Sequence, residues 1–157
     1  MKSNQRKLNP DIKYGDYTVQ RLIQYVLKNG NKTTAEKIVY DAIDMVKDDD
    51  SVAKGMLVVD IIKKIITNTR PAFEVVSRRV RGATYPVPCE VKARRGEMLA
   101  LRWILQGAHK RSGNMSNALA QELKDAFNGV GSAVKQRENT HSMAKGSRAF
   151  AHLGGMR

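Results

Sequence analysis

The chain has 157 residues and carries 28 Lys and Arg against 15 Asp and Glu, a formal net charge of +13. This length and a hydrophobic fraction of 41% favour one folded domain and exclude a mostly disordered chain. A single Cys excludes a disulfide framework. The polar first ten residues predict no signal peptide, and the apolar stretch at 56–66 is too short to span a bilayer. We therefore expect a soluble protein of a reducing compartment with a polyanionic partner.

The amino-terminal half predicts a basic arm and three helices. Residues 1–13 are basic with little to bury and are expected to form a flexible arm, followed by one helical domain over 14–152. Apolar residues at helical spacing predict helices over about 19–27, 33–47 and 52–68. Thr33 followed by Glu36 is the pattern of a capping box for the second helix. Pro71 requires the third helix to end before it.

The apolar spacing then changes to the alternation of β-strands, at about 73–91. A short loop, Arg81-Gly82-Ala83, predicts the turn of a hairpin. Pro86 and Pro88 both lack an N–H donor on the same side of the second strand, so this edge cannot be extended into a larger sheet. The pattern predicts an isolated two-stranded ribbon. Strands of seven or eight residues, at about 3.3 Å each, give an arm of roughly 25 Å.

Three further helices are predicted after the ribbon. The first begins at about Gly96 and is followed by Gly113 as its terminating residue, and the others cover about 116–128 and 132–145. The tail after about residue 145, through Arg157, has no clear period, and its last residues, 153–157, are expected to lie outside the domain. The predicted fold is therefore mainly α, with a six-helix, bundle-like body and a protruding two-stranded β-ribbon.

No group of residues in the sequence predicts catalysis, a cofactor or a metal site. Cys89 has no His nearby in sequence and is expected to be a small apolar strand residue. His109, His141 and His152 lack the pairing of a zinc site and are expected on the surface or facing RNA. Asp48-Asp49-Asp50 cannot converge on one cation and is expected to be an exposed turn.

Basic residues are concentrated in the ribbon and the helix after it. Residues 71–111 contain nine Lys or Arg and three Asp or Glu, whereas residues 22–70 contain eight and seven. Arginine suits nucleic acid because its planar guanidinium pairs with phosphate and stacks on bases. Trp103 and Tyr85 could also stack on bases, although core-edge positions are more usual for them. The basic residues expected to contact nucleic acid are Arg78, Arg79, Arg81, Lys92, Arg94, Arg95, Arg102, Lys110 and Arg111.

Two classes of nucleic-acid-binding protein combine a helical body with a basic ribbon. Architectural DNA-binding proteins insert β-arms into the minor groove, and ribosomal proteins thread arms among RNA helices. The DNA-binding class usually places a proline at the tip of the arm, whereas here the tip is Arg81-Gly82 and the prolines lie in the second strand. An enzyme is a third alternative, made improbable by the absence of an acid–base set.

A set of segments in fixed order, over about residues 9–152, carries a family resemblance. The segments are Lys13-Tyr14-Gly15, Thr34-Ala35-Glu36-Lys37-Ile38-Val39-Tyr40, Ser77-Arg78-Arg79-Val80, Gly82-Ala83-Thr84-Tyr85 with Val87-Pro88, Arg102-Trp103-Ile104, Ala133-Val134-Lys135, Arg137-Glu138, His141, Met143-Ala144 and Ala149-Phe150-Ala151-His152. Together they resemble the small-subunit ribosomal protein seven family. This resemblance implies a structural, non-enzymatic rRNA-binding protein that binds the 3′ major domain of 16S-type rRNA and nucleates assembly of the head of the small subunit.

The resemblance also implies particular contacts and a location. It places the ribbon at the subunit interface near the exit-site tRNA, with Arg81, Gly82 and Tyr85 closest to that tRNA, and implies contacts with neighbouring head and platform proteins. The implied location is the cytoplasmic ribosome of a bacterium, or an organellar ribosome. The rRNA contacts carried over are Arg78, Arg79, Lys92, Arg94, Arg95, Arg102 and Lys110, followed by Lys13, Tyr14 and Lys32.

The sequence departs from the family pattern in three places. Arg81 stands where a Gly-Gly pair is usual, so its charge is available to RNA at the turn. The three aspartates at 48–50 lie in a loop that varies in the family. The tail at 153–157 lacks an aromatic and basic ending.

Overall fold

Six α-helices and one two-stranded ribbon form the described part of the chain. A computed structural model describes residues 9–49, 55–80 and 82–155, with side chains through Ala151. The mainly α fold predicted from the sequence is confirmed. The elements are α1 (Tyr17–Val26), α2 (Lys32–Lys47), α3 (Val58–Thr69), β1 (Phe73–Val80), β2 (Ala83–Glu90), α4 (Ala93–Lys110), α5 (Met115–Phe127), α6 (Ser132–Gly146) and a 3₁₀-helix (Arg148–Gly155).

The folded part of the chain begins earlier than the sequence predicts. Most of the predicted arm, residues 1–8, lies outside the described ranges. Asp11, however, is only 3% exposed, and its carboxylate accepts hydrogen bonds from the backbone N–H groups of Lys13 and Tyr14 at 3.1 and 3.0 Å. Asp16 then caps α1 by accepting a 2.5 Å hydrogen bond from the N–H of Thr18. Residues 11–13 therefore belong to the domain, because a buried carboxylate fixes them.

The predicted capping box of α2 and the predicted beginning of the third helix are wrong. Asn31 precedes α2 and makes no side-chain cap, and Glu36 pairs with Lys32 at 3.1 Å instead of completing a capping box with Thr33. The third helix begins at Val58, since residues 55–57 are not helical and residues 51–54 lie outside the described ranges. The apolar spacing indicates which face of each helix is buried, but it does not indicate how the helix is capped or at which residue it begins.

The end of α4 and the tail also differ from the prediction. The helix runs from Ala93 to Lys110, and the extended backbone of Arg111 ends it two residues before Gly113. The tail, for which the sequence gives no period, contains the 3₁₀-helix, which contacts β2. The ring centroids of Tyr85 and Phe150 lie 5.5 Å apart across this contact. The sequence pattern does not predict that the tail packs on the ribbon, and this contact is found only in the tertiary structure.

The core is centred on α5, which packs against α2, α3, α4 and α6. The predicted apolar stripes supply its buried residues, including Leu22, Val39, Ile65, Ile104 and Leu119. Among the described residues, every buried side-chain nitrogen and oxygen has a hydrogen-bond partner. A core with no unpaired polar atom fits a single well-defined packing.

The ribbon is an antiparallel hairpin, as predicted. Its register pairs Val75 with Pro88, Ser77 with Pro86 and Arg78 with Tyr85. The two prolines face the same way along β2, and the described residues contain only this two-stranded sheet. Val87, in the half of the ribbon nearer the body, is fully buried, whereas the residues beside the turn are exposed. The body therefore holds the base of the ribbon and leaves its tip in solvent.

A buried carboxylate connects three helices. Glu122 in α5 has no exposed surface, and its Oε2 accepts hydrogen bonds from Arg111 Nε and Nη2 at 3.1 and 2.7 Å. Its Oε1 accepts a 2.9 Å hydrogen bond from the N–H of Ala133 in the first turn of α6. Arg111 Nη2 also donates to Asp125 at 2.5 Å. One carboxylate therefore binds the residue after α4 and the first turn of α6.

Gly107 makes this arrangement possible. A Cβ atom at this position would lie 2.6 Å from the Cδ and Oε1 atoms of Glu122, closer than such contacts occur. Because glycine has no Cβ, α4 approaches the carboxylate without a clash. The glycine in the middle of α4 is therefore explained by packing.

We expect Glu122→Ala to lower the free energy of unfolding by on the order of 3 kcal/mol, since it leaves the backbone N–H of Ala133 without an acceptor and leaves Arg111 with Asp125 as its remaining acidic partner. Urea denaturation measures the change. Glu138→Ala, which removes an exposed carboxylate from α6, is the matched control and should change stability by less than about 1 kcal/mol. Equal effects of the two substitutions would contradict a structural role for Glu122.

Candidate nucleic-acid interface

The exposed surface of α4 contains no acidic residue. Arg95, Arg102, Gln106 and His109 are exposed and spaced by seven, four and three residues, which places them on one helical face. The acid of this helix, Glu97, is partly buried and pairs with Arg21 of α1 at 2.7 Å. At 1.5 Å per residue, the basic face extends about 20 Å from the ribbon to the end of α4. We call these four residues the α4 basic face.

Further exposed cations lie at both ends of the α4 basic face. Lys92 and Arg94 are exposed where the ribbon leads into α4, and Lys110 is exposed at the last residue of the helix. Arg95 pairs with Glu74 of β1 at 3.2 Å, so it lies beside the base of the ribbon. Local sequence predicts these residues correctly as surface cations, and the structure shows that α4 aligns them.

The arginines of the ribbon point to opposite sides of it. Arg78 and Arg79 alternate along β1; Arg78 is opposite Tyr85 and partly buried, whereas Arg79 is opposite Thr84 and exposed. Gly82 has a φ of 89°, which lets the chain turn at the tip. Arg81, predicted to lie closest to the tRNA, is outside the described residues. The described part of the tip therefore exposes one cation, Arg79.

Lys13 and Tyr14, both predicted to contact RNA, contact α2 within the protein. Asp44 accepts a 2.7 Å hydrogen bond from Lys13 Nζ and a 2.8 Å hydrogen bond from the Tyr14 hydroxyl. Tyr40 donates its hydroxyl to Asp11 at 2.6 Å, and the rings of Tyr14 and Tyr40 lie 5.8 Å apart, edge to face. Lys13 Nζ is 5.1 Å from the centroid of each ring. These two residues attach the turn before α1 to α2 within the protein itself.

The protonation equilibria reflect this cluster. The hydrogen bond from Lys13 lowers the pKa of Asp44, and the same bond raises the pKa of the lysine. Burial raises the pKa of Tyr40 to about 12, with a further contribution from its hydrogen bond to Asp11. Burial also raises the pKa of Tyr14. At neutral pH the cluster therefore consists of an ammonium, a carboxylate and two neutral phenols.

Several other predicted residues also have partners within the protein. Arg111 is held by Glu122 and Asp125, and the hydrogen bond to Glu122 raises the pKa of its guanidinium. Lys32 remains exposed in the first turn of α2 beside Glu36. Tyr85 packs on Phe150. In the sequence, the feature that indicates an internal partner for Arg111 is the pair of acids in the next helix, Glu122 and Asp125.

The residues considered for chemistry have structural surroundings. His141 is partly buried, and its Nε2 accepts a 3.0 Å hydrogen bond from the N–H of Ala72, which connects α6 to the residue before β1. His109 is exposed, and the side chain of His152 lies outside the description. Cys89 is a half-buried strand residue, and Trp103 packs at the edge of the core. Asp49 pairs with Lys124 at 2.7 Å, so that aspartate is not simply solvated; Asp50 lies outside the described ranges.

The described residues form neither a metal site nor a membrane-spanning helix. Among the described side chains, no three His, Cys, Asp or Glu residues are arranged to hold a metal ion. No helix in the described ranges is both long enough and apolar enough to cross a lipid bilayer.

Comparison with known proteins supplies the family. A family model described as Ribosomal protein S7p/S5e matches residues 1–148. The chain belongs to this family. The resemblance found in the sequence segments is therefore confirmed over nearly the whole chain.

Curated relatives agree with the family model. The chain is 47% identical to the small ribosomal subunit protein uS7 of Xylella fastidiosa (strain 9a5c) over 149 residues, which cover 94% of this chain and 93% of that protein. It is 46% identical, with the same coverage, to the proteins of that name from Stenotrophomonas maltophilia (strain K279a) and Xanthomonas campestris pv. campestris (strain B100). These relatives carry the name of a ribosomal component.

We expect the Asp44 cluster to lose its stabilising effect in acid. A carboxylate with a lowered folded-state pKa stabilises the fold above its unfolded pKa, near 3.8 here, and loses that contribution as the pH falls through the folded value. The difference in unfolding free energy between the wild type and Asp44→Asn should therefore stay constant between pH 7 and 5 and shrink below about pH 4. Urea denaturation at a series of pH values tests this. A difference that grows in acid would contradict it.

Proposed function

We propose that this protein is a structural component of the small ribosomal subunit that binds the 3′ major domain of its 16S-type rRNA and nucleates assembly of the head. The observation that supports this proposal is the α4 basic face, which extends from the base of the ribbon along the helix. The chain also belongs to a family of ribosomal proteins. Phosphates are recognised there by exposed arginines and lysines, with no catalytic step. The bacterial relatives favour a bacterial ribosome as the location.

The separation of charge over the surface supports an oriented complex. Asp41, Asp44, Asp48, Asp49 and Asp60 belong to α2, α3 and their connection, whereas the exposed side of α4 has none. A polyanion is attracted more strongly to the α4 side, where exposed cations outnumber exposed acids, than to the α2–α3 side, where cations and acids nearly balance. The protein therefore binds RNA through α4 and the ribbon and leaves its α2–α3 side turned away from the phosphates.

The ribbon is the part of the molecule suited to reach a second RNA. Its base is buried against α6 and the 3₁₀-helix, while Arg79 and Gly82 near the tip are exposed. We propose that this tip lies at the subunit interface near the exit-site tRNA, with Arg81 and Tyr85 close by. Neighbouring head and platform proteins then contact the remaining surface.

The salt dependence of binding tests the phosphate-led mechanism. Eight exposed cations are available on the ribbon, on and just before α4, and in the stretch from the α1–α2 turn to the first residue of α2, and contact with about eight phosphates gives a slope of log K against log salt of about −6 to −7. Filter binding of the full chain to a 3′ major-domain rRNA fragment, with duplex DNA as competitor, measures the slope. A slope near zero would contradict the mechanism, and a preference for the DNA would favour an architectural DNA-binding protein. The cations are Lys28, Lys32, Arg79, Lys92, Arg94, Arg95, Arg102 and Lys110.

Removing two arginines of the α4 basic face should weaken RNA binding without unfolding the protein. For Arg95→Ala with Arg102→Ala we expect roughly tenfold weaker binding per arginine, about 1.4 kcal/mol each, and a salt slope reduced by about one per contact. The exposed pair of Arg95 with Glu74 contributes at most about 1 kcal/mol to the fold, so the thermal transition should change little.

The matched control removes the same charge elsewhere. Lys47→Ala with Lys63→Ala takes two exposed cations from α2 and α3 and should leave most of the affinity intact. Equal losses in the two double variants would show that net charge, and not the α4 basic face, determines binding.

A further inference from the structure

A cavity lies at the carboxyl-terminal end of α4, where the α1–α2 turn meets the α4–α5 turn. Its volume is about 480 Å³, within the range of about 300–1,000 Å³ that is usual for small-molecule sites. The floor is apolar and is formed by the side chains of helices α1, α2, α4 and α5, among them Ile38, Ala108 and Met115. A flat apolar group of modest size can therefore enter and be covered on one side.

The rim of the cavity is polar, and much of it is unused. Asn29, Asn31, Thr34 and His109 line the opening and are exposed. Within the described ranges, the side chains of these four residues take part in no hydrogen bond. Two amides, one hydroxyl and one imidazole therefore offer both donors and acceptors at the edge of an apolar floor.

The turn that carries the two asparagines has a fixed shape. The N–H of Asn31 donates to the carbonyl of Lys28 at 3.1 Å, and both central residues are left-handed, with φ of 52° at Asn29 and 78° at Gly30. Two positive φ values in succession define a type I′ turn, in which asparagine and glycine are favoured. The amide of Asn29 is therefore attached to a defined backbone and loses little freedom on binding.

The charges around the cavity select an anionic occupant. Lys28 and Arg111 line it, and no Asp or Glu does. Because Arg111 is already paired with Glu122 and Asp125, Lys28 is the lining cation that an occupant can use. In contrast, Glu90 lines the cavity between the ribbon and α6, and Asp48 and Asp49 line the cleft beside α5. Of the three cavities, this one is free of opposing acids.

The cavity also continues the α4 basic face. His109 belongs to both, because it is the last residue of that face and part of the cavity rim. An RNA strand bound along α4 by Arg95 and Arg102 therefore reaches the opening after about 20 Å, or about 14 residues of helix.

We infer that this cavity receives one unstacked base of the rRNA, with the amides of Asn29 and Asn31 and the hydroxyl of Thr34 at its polar edge. A nucleotide combines the three properties that the site needs: an apolar face for the floor, a hydrogen-bonding edge for the rim and a phosphate for Lys28. Recognition of RNA sequence commonly uses such unstacked bases. The inference rests on the proposed rRNA binding and adds to it a contact with a base.

The test uses substitutions that remove no charge. Asn29→Gly keeps the left-handed backbone, and Thr34→Val keeps the shape of the side chain, so the fold should persist, as thermal unfolding can check. The control is Asn128→Gly with Thr33→Val, the same two changes at exposed positions outside the cavity lining. The probe is the 3′ major-domain rRNA fragment, examined by filter binding and by chemical modification of base edges.

With the wild type we expect one or two nucleotides to be protected at their base edges. The double variant should lose that protection and bind roughly tenfold more weakly, with an unchanged salt slope, whereas the control should match the wild type. Full protection and affinity in the double variant would overturn the inference. If only Thr34→Val folds, it should show the same local loss on its own.

Two further outcomes separate this inference from the proposed function. If the wild type does not bind the rRNA with a steep salt slope, the proposed function fails. If the wild type binds but the double variant loses only a neighbouring protein in the assembled subunit, the occupant is a protein side chain and the inference alone is overturned.

Discussion

The buried carboxylate of Glu122 determines how the two halves of the binding surface are placed. It binds Arg111 just after α4 and the backbone N–H of Ala133 at the beginning of α6. Helix α4 carries the α4 basic face, and α6 holds the base of the ribbon through His141 and Ala72. The position of the ribbon relative to α4 therefore depends on one desolvated charge. Because such a charge is costly when unpaired, all of its hydrogen bonds have to form together.

Five acids of the chain make contacts that hold the fold together. Asp11 and Glu122 are buried, and Asp44, Glu97 and Asp125 each pair with a cation that orders a turn or joins two helices. Acids used inside the fold neutralise the cations beside them, so exposed cations outnumber exposed acids along α4. The net charge of +13 is therefore distributed unevenly over the surface. Such an uneven charge favours one orientation of an approaching polyanion.

Local sequence signals predicted which helices and strands form better than they predicted the residue at which each one begins. Helical spacing located the buried faces, as at Leu22 and Ile104, because burial of an apolar stripe requires that spacing. The ribbon followed from alternation, two prolines and a turn. The predicted capping box of α2 and the predicted first residue of α3 were wrong, because apolar spacing does not mark where a helix begins or how it is capped. Among the site residues, Arg102 and Lys110 were predicted correctly as exposed, whereas the internal partners of Lys13, Tyr14 and Arg111 were not foreseen.

Residue types and short-range spacing are enough to predict the mainly helical class, the ribbon, the family and the segment that carries the excess charge. The tertiary structure decided which of those charges are available. Arg111 and Arg102 are alike in sequence terms, yet one binds a buried glutamate and the other faces solvent. It also decided that the turn at Asn29 meets the end of α4 and encloses a cavity. Both outcomes depend on residues far apart in the chain, whose pairing only the packing of the helices establishes.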